Sequence, residues 1–294
     1  MTRDEVDLLR VNIVHHLQTS CERILVVDNG SSDASRTVLK RLAKKLPVDW
    51  TEDGAALQQG EVLTGLAHDA AALGAQWVMP LDTDEFWHGS RQLRDVVAEA
   101  GGAGAIEVPR IEFIQASDQA RSNARGALRM KMRVERPASG GAAIREFAQG
   151  ERSMFETEPQ PKLLMRATPD LIVNFGAHTA GGLDGAIEVS KEIVIFHAPL
   201  RSRAVLDARA EHGRRVAALS DDPDVSVQSR YWERMRSEGR FEEAWRAHSY
   251  TDGALEVGGR RVDLVEDERM VELLEPWVRG AGSERLARLT GRSW

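Results

Sequence analysis

The 294-residue sequence predicts an α/β protein in which a mostly parallel sheet is flanked by helices and followed by a helical C-terminal extension. Three observations predict it. Apolar runs of strand length recur at residues 22–28 and 76–81, bounded by turn residues. Helical patterns alternate with them, and the order strand–helix–strand–helix–strand implies right-handed crossovers. Both runs end in acidic residues, which is where open α/β sheets place their ligands.

The first element is a helix, with Val6, Leu8, Leu9, Val11, Ile13, Val14 and Leu17 as its apolar face and Asp4 and Glu5 suiting its first turn. Residues 22–28 read as a buried parallel strand and Asn29-Gly-Ser-Ser-Asp33 as the loop after it. A basic amphipathic helix covers residues 35–46 and stops before Pro47. A short strand at 48–51 and a helix at 60–73, closed by Gly74, lead to the strand at 76–81. Up to about residue 99 this is a nucleotide-binding type of half-domain. Residues 105–115 read as a further strand.

A long polar stretch, residues 117–161, follows. Between residues 117 and 136, six basic residues (Arg121, Arg125, Arg129, Lys131, Arg133 and Arg136) stand against two acids, Asp118 and Glu135, and as a group they can form a lid over a diphosphate. Strands are expected at 162–166, 171–175 and 192–196. Helices at 204–219 and 230–248, a hairpin turning at Gly258-Gly259 and a last helix before Pro276 complete the chain.

Composition narrows the function. A net charge of -7 argues against a nucleic-acid binder, which needs a positive footprint. Cys21 is the only cysteine, so an intrachain disulfide is excluded and a zinc–thiolate cluster disfavoured. No apolar stretch approaches the length of a membrane span, and the expected compartment is the cytoplasm.

The chemistry concentrates at residues 77–87. The run Trp77-Val-Met-Pro-Leu81 ends in Asp82, Asp84 and Glu85, closed off by Phe86 and Trp87. Clustered carboxylates repel unless a cation joins them, and a hard divalent ion with oxygen ligands suffices. Asp82 and Asp84 alternate, so both can face one ion. The plainer reading is a helix start with Asp as cap; the strand before and the aromatic pair after favour a site. At Asp28-Asn-Gly-Ser-Ser-Asp33, Asp28 can accept from a base or ribose and Ser31 can serve ribose or phosphate, although the same residues make an ordinary turn. His197, after the apolar run 193–196, is a third candidate ligand, and Arg201 can meet phosphate oxygens. His178 has a similar setting.

Taken together, these residues resemble a family-2-type glycosyltransferase of the GT-A (Rossmann-like) fold, in its bacterial Asp-x-Asp-Glu-Phe branch. The segments that carry the resemblance are Thr2-Arg-Asp-Glu5, with Asp4 where the family has Asn, then residues 24–33, residues 77–87, Pro161-Lys-Leu-Leu164, Gly176-Ala-His178 and Phe196-His-Ala-Pro-Leu-Arg-Ser202. The resemblance implies a glycosyltransferase domain over residues 1–215 (nucleotide-binding half 1–100, acceptor-side half 101–215) and an extension over 216–294. It also implies a strand immediately before Thr2 that this sequence lacks; an added upstream segment of about ten residues, a strand and a turn, is expected to improve stability and nucleotide binding.

The implied activity is hexosyltransferase-like: a sugar moves from a nucleoside-diphosphate sugar to an acceptor hydroxyl, glycan or other, with inversion. Arg3, Glu5, Asp28 and Ser31 are expected to hold the nucleoside, with Asp82 and Arg201 completing the donor site. Asp82, Asp84 and His197 are expected to hold Mn²⁺ or Mg²⁺. Asp84 and Glu85 are the expected catalytic residues, and Glu85, Glu146 and Asp184 the candidates for the base that deprotonates the acceptor. A metal-dependent nucleotidyltransferase and a non-catalytic nucleotide- or glycan-binding relative are the alternatives. The tail helices can pack on their own domain or on another subunit.

Overall fold

A computed structural model describes residues 1–54, 59–119, 122–219 and 226–279. In chain order, the first elements are α1 (Val6–Thr19), β1 (Ile24–Asp28), α2 (Ser35–Ala43), β2 (Val48–Glu52), α3 (Gln59–Ala72), β3 (Trp77–Val78) and β4 (Glu85–Gly89). Next come α4 (Leu93–Glu99), β5 (Ala103–Val108), β6 (Arg110–Glu112), α5 (Ala124–Ala127), β7 (Met132–Arg133) and α6 (Gly141–Gln149). The strands β8 (Lys162–Arg166), β9 (Ile172–Val173), β10 (Ala180–Gly181), β11 (Ala186–Val189) and β12 (Ile193–His197) follow. The chain then forms α7 (Arg203–Leu219), α8 (Val227–Ser237), α9 (Phe241–Ala247), β13 (Ala254–Val257), β14 (Arg260–Asp263), β15 (Val265–Glu266) and α10 (Arg269–Val278).

Two compact units result, one of residues 1–111, 160–197 and 276–294, the other of 112–159 and 198–275. The expected division near residue 215 is therefore corrected: the chain leaves the first unit at 111, returns at 160 and leaves again after 197. A shared core explains this. In the second unit Phe147, Met154 and Phe155 pack with Trp232, Met235 and Trp245, so residues 112–159 and the tail bury one apolar surface together.

In the first unit the α/β class holds, but the sheet is mixed rather than mostly parallel. β1 and β2 pair in parallel, Ile24 opposite Val48. β11, β5, β8 and β3 form a second sheet in that order, in which β8 runs antiparallel to both its neighbours. The expected strand at 76–81 pairs only over Trp77 and Val78, with Arg166 and Met165. Met79 and Leu81 are half-buried for a physical reason: the other side of this segment borders a cavity instead of a strand. A third sheet has the order β4-β12-β6.

The polar stretch 117–161 is not a lid loop. It carries α5, β7 and α6, and three of its cations are matched within the second unit: Arg129 by Asp118 at 2.8 Å, Lys131 by Glu266, and Arg133 by Asp267 at 2.7 Å. Arg121 lies outside the described residues. The tail is not purely helical, since β13 and β14 form the hairpin at Gly258-Gly259. Its expected helix 230–248 is two helices, broken at Gly239, whose φ of +72° suits a residue without a Cβ. Pro276 stands inside α10 rather than after it, so the helix lacks the N–H that would otherwise bond back to the Glu272 carbonyl. No helix among the described residues is long and apolar enough to cross a membrane.

Candidate active site at two acidic strand ends

The loop after β1 closes on its own carboxylate. Asp28 is fully buried and accepts from the Ser31 N–H at 3.1 Å and from the Ser31 hydroxyl at 2.5 Å. Ser31 Oγ in turn accepts the Asp4 N–H at 3.0 Å. Asp4 adopts φ +51°, a region that Asp and Asn tolerate better than other L-residues, so either type fits this place. Its Oδ1 accepts the N–H groups of Ser32 and Asp33 at 2.6 and 3.1 Å. Burial pushes the Asp4 carboxyl up, but these donors outweigh it and hold it below the usual range. Arg3 is half-exposed with Nε 3.8 Å from Asp4 Oδ2, and Glu5 caps α1. The turn that the plainer reading of Asp28 expected is thus present, and it aligns Asp28, Ser31 and Asp4 as one hydrogen-bonded set.

Residues 82–87 are held by α1. Asn12 Nδ2 donates to the carbonyls of Asp82 and Glu85 at 3.2 and 2.8 Å. His16 Nε2 accepts the Trp87 N–H at 3.1 Å while its Nδ1 lies 2.8 Å from the Asn12 carbonyl, which fixes the neutral Nδ1–H tautomer. His15 Nε2 lies 3.1 Å from the Trp87 carbonyl. Helix α1 is therefore the clamp of the acidic turn.

Two cations answer the clustered acids. Lys162, the first residue of β8, is buried at 2% exposure with Nζ 2.6 Å from both Asp82 Oδ2 and Glu85 Oε2. The Glu85 contact lies off the hydrogen-bond direction, whereas Lys162 donates directly to Asp82. Arg110 Nη1 donates to Glu85 Oε1 at 3.0 Å. Burial pulls the Lys162 ammonium down, but Asp82 and Glu85 outweigh it and raise it. Burial likewise pushes Asp82 up, and Lys162 overcomes that and lowers it. Both stay charged. His178 Nδ1 meets the Pro161 carbonyl at 2.7 Å beside this cluster, and burial lowers its pKa.

The pairing of β4 with β12 sets His197 opposite Glu85 and brings its Nε2 to 3.4 Å from Asp84 Oδ1. That is the spacing of neighbouring donors on one ion with bonds of about 2.1 Å. The expected triad of Asp82, Asp84 and His197 is not gathered, because Asp82 faces Lys162; among the described residues no three His, Cys, Asp or Glu side chains are spaced for a metal. Asp84 and His197 are the two of the three that would be left to hold a hard divalent ion.

Several expected roles meet obstacles. Glu85, fully buried between Lys162 and Arg110, is an anchor for cations and unsuited to take a proton from an acceptor. Asp184 precedes β11, beside the start of β5, whereas Lys162 pairs with Val108 at its other end. Five residues of strand, about 16 Å, separate Asp184 from the acidic turn. Glu146 and Arg201 belong to the second unit: Glu146 pairs with Arg152 at 2.7 Å, and buried Arg201 donates to the Ala198 carbonyl at 3.3 Å.

Thr2 stitches the two strand ends together. Its N–H donates to the Val27 carbonyl and its carbonyl accepts the Asn29 N–H, while the Thr83 hydroxyl donates to the Thr2 hydroxyl at 3.1 Å. Thr2 and Lys162 lie in segments that carry the resemblance but were given no role of their own, and Arg110 and Asn12 were not singled out from the sequence. A lysine opening the apolar run Leu163-Leu-Met165 was the one available signal.

No family model matches this chain, and no curated protein matches it. Among solved structures, the chain is similar to a crystal structure of S. aureus TarS 1-349, with TM-score 0.39 and 10% identity over 86% of this chain and 72% of that one. The same fragment in complex with UDP gives 0.36 and 10%, over 84% and 69%. A longer S. aureus TarS structure gives 0.36 and 12%, and there the match spans only 43% of that chain. Scores this low carry no functional weight, and the reading below stands on the site.

Proposed function

We propose that the protein is a metal-dependent glycosyltransferase that moves a sugar from a nucleoside-diphosphate sugar to an acceptor hydroxyl with inversion. The observation that supports this reading is the union, through Thr2, of a hydrogen-bonding strand end at Asp28 and a charged strand end at Asp84. The first offers Ser31, Arg3 and Glu5 to a nucleoside. The second offers Asp84 and His197 as a metal-binding pair, and Mn²⁺ or Mg²⁺ held there would supply charge neutralisation for a departing diphosphate. Lys162 and Arg110 keep the turn carrying Asp84 in place by fixing Asp82 and Glu85.

A non-catalytic nucleotide binder is the second reading. It is favoured by one observation: Glu85 is locked by cations and Asp184 stands at the far end of β5. A thermal-shift screen of uridine, guanosine and thymidine diphosphates, with Mn²⁺ or with chelator, tests the site. Ligand at about 100 times its dissociation constant adds roughly 2.7 kcal/mol, a rise of several degrees for a chain this long. No metal-dependent shift with any of them contradicts both readings. Binding without release of sugar from the donor selects the second.

A further inference from the structure

The sheet β11-β5-β8-β3 ends at β11, and among the described residues no strand pairs with its outer edge. All four residues of β11 are exposed, Ile187 at 51% and Val189 at 67%. A proline or lysine within an edge strand blocks further pairing, and Ala186-Ile-Glu-Val189 has neither. Its one charge, Glu188, stands on the opposite face from Ile187 and Val189.

This edge has a defined register. Ser190 donates its N–H to the Glu107 carbonyl of β5, so the backbone groups of Ser190 and, two residues back, of Glu188 face inward. Those of Ile187 and Val189 therefore point to the open side. Ile187 lies opposite Ala105, which puts both side chains on one face of the sheet. On that face Ala105 is buried with Leu163, Met165 and Val173, so the apolar face runs past its covered part and reaches the edge.

The edge is complementary to itself. Two copies of one strand pair antiparallel about a twofold axis normal to the sheet, which sets residues of the same face opposite each other. With the axis at Ile187, this residue exchanges both backbone hydrogen bonds with its own counterpart. Val189 then meets Gly185, which has no side chain, and Glu188 meets Ala186. Moving the axis by one residue sets Glu188 directly opposite either its own copy or Asp184, and like charges so placed repel.

We propose that β11 is a self-pairing edge whose partner is the β11 of a second copy of this chain, antiparallel, with Ile187 on the twofold axis. The pairing joins two sheets into one and gathers Ile187 and Val189 of both copies on a single face. So short an edge buries less than the roughly 1,200 Å² of a stable complex, and the dimer is reversible, with a dissociation constant of about 10–100 µM.

Sedimentation equilibrium from about 5 to 500 µM, spanning that constant, should show the mass rising towards twice that of the chain. Ile187→Asp, at an exposed position, should weaken association at least tenfold with an unchanged melting curve. Cys21→Ser removes the only native thiol, and adding Ile187→Cys to it should give an intermolecular disulfide on mild oxidation. The paired Cα atoms lie about 5.5 Å apart, within reach of such a bond. Val189→Cys in the same background should not, because its two copies stand about 14 Å apart. A monomer at every concentration would overturn the proposal and leave the edge to a strand of another protein. A dimer indifferent to Ile187→Asp would overturn it as well, and cross-linking at 189 in place of 187 would overturn the register. None of these readouts needs nucleotide or metal, so their failure leaves the functional reading untouched.

Discussion

The ends of β1 and β3 are both acidic, both buried and joined by the same threonine, yet they are stabilised by different means. At the β1 end Asp28 is satisfied by the N–H and hydroxyl of Ser31, and its nearest cation, Arg36, stands 4.0 Å away and half-exposed. At the β3 end Asp82 and Glu85 are satisfied by a buried ammonium and a guanidinium. A hydrogen-bonded turn can be built from six consecutive residues. A charge cluster needs partners from β6, β8 and β12, far apart in sequence. The first end needs only Asp4 from outside its own turn, and the second is where single substitutions should do the most damage.

Lys162→Met should have the largest effect on stability. It leaves the buried Glu85 facing one cation fewer, while Asp82, 34% exposed, is partly relieved by water, so the cost in chemical denaturation is expected near the low end of about 3–5 kcal/mol. Adding Glu85→Gln to it should recover part of that loss; no recovery would mean that the lysine acts by packing. Asp28→Asn, by contrast, should cost about 1–2 kcal/mol, since the amide oxygen keeps the Ser31 N–H bond while the NH2 group can only meet the Ser31 hydroxyl with the donor role reversed. Equal losses for the two variants would erase the distinction between the ends.

Acid should separate them as well. Burial, ahead of every other influence, pushes His15 down to about 4 and His16 well below its usual value. Above about pH 6.5 both are neutral whether folded or unfolded, and their contribution to stability is whole. Below it the unfolded chain takes up protons that the folded clamp refuses, so stability falls progressively towards pH 4. Hydrogen exchange at the Trp87 amide, which His16 accepts, should accelerate over that range, while the Ser31 amide stays protected. The smallest effect belongs to Arg36→Ala, expected to cost about 1 kcal/mol because its pairs with Asp28 and Glu52 and its bond to the Ser31 carbonyl are made by a side chain open to solvent.

Much of the β1 end was legible in the sequence, because a strand, a turn and a capping acid lie within ten residues. At the β3 end the acids were legible and their partners were not. Lys162 reads as an ordinary first residue of a strand, and Asn12 as a polar gap in a helix whose apolar neighbours draw the eye. The pairing that brings His197 to Asp84 depends on the register of β4 and β12, which no local pattern encodes. The lid expected at 117–161 failed for a similar reason. Its arginines looked unmatched because Glu266 and Asp267 lie more than a hundred residues away. The strand at 76–81 came out short because its pairing with β8 stops at Val78, which its own composition does not encode.

The central claim is that the β3 end holds a diphosphate through Asp84, with His197 beside it. Isothermal titration of UDP in the presence of Mn²⁺, on the unaltered protein and on Asp84→Ala, tests it most directly once the unaltered protein's melting curve has been matched by the variant's. The expected result is Mn²⁺-dependent binding that chelator removes and that Asp84→Ala weakens at least tenfold. Equal affinity for the variant, or binding indifferent to the metal, would contradict it.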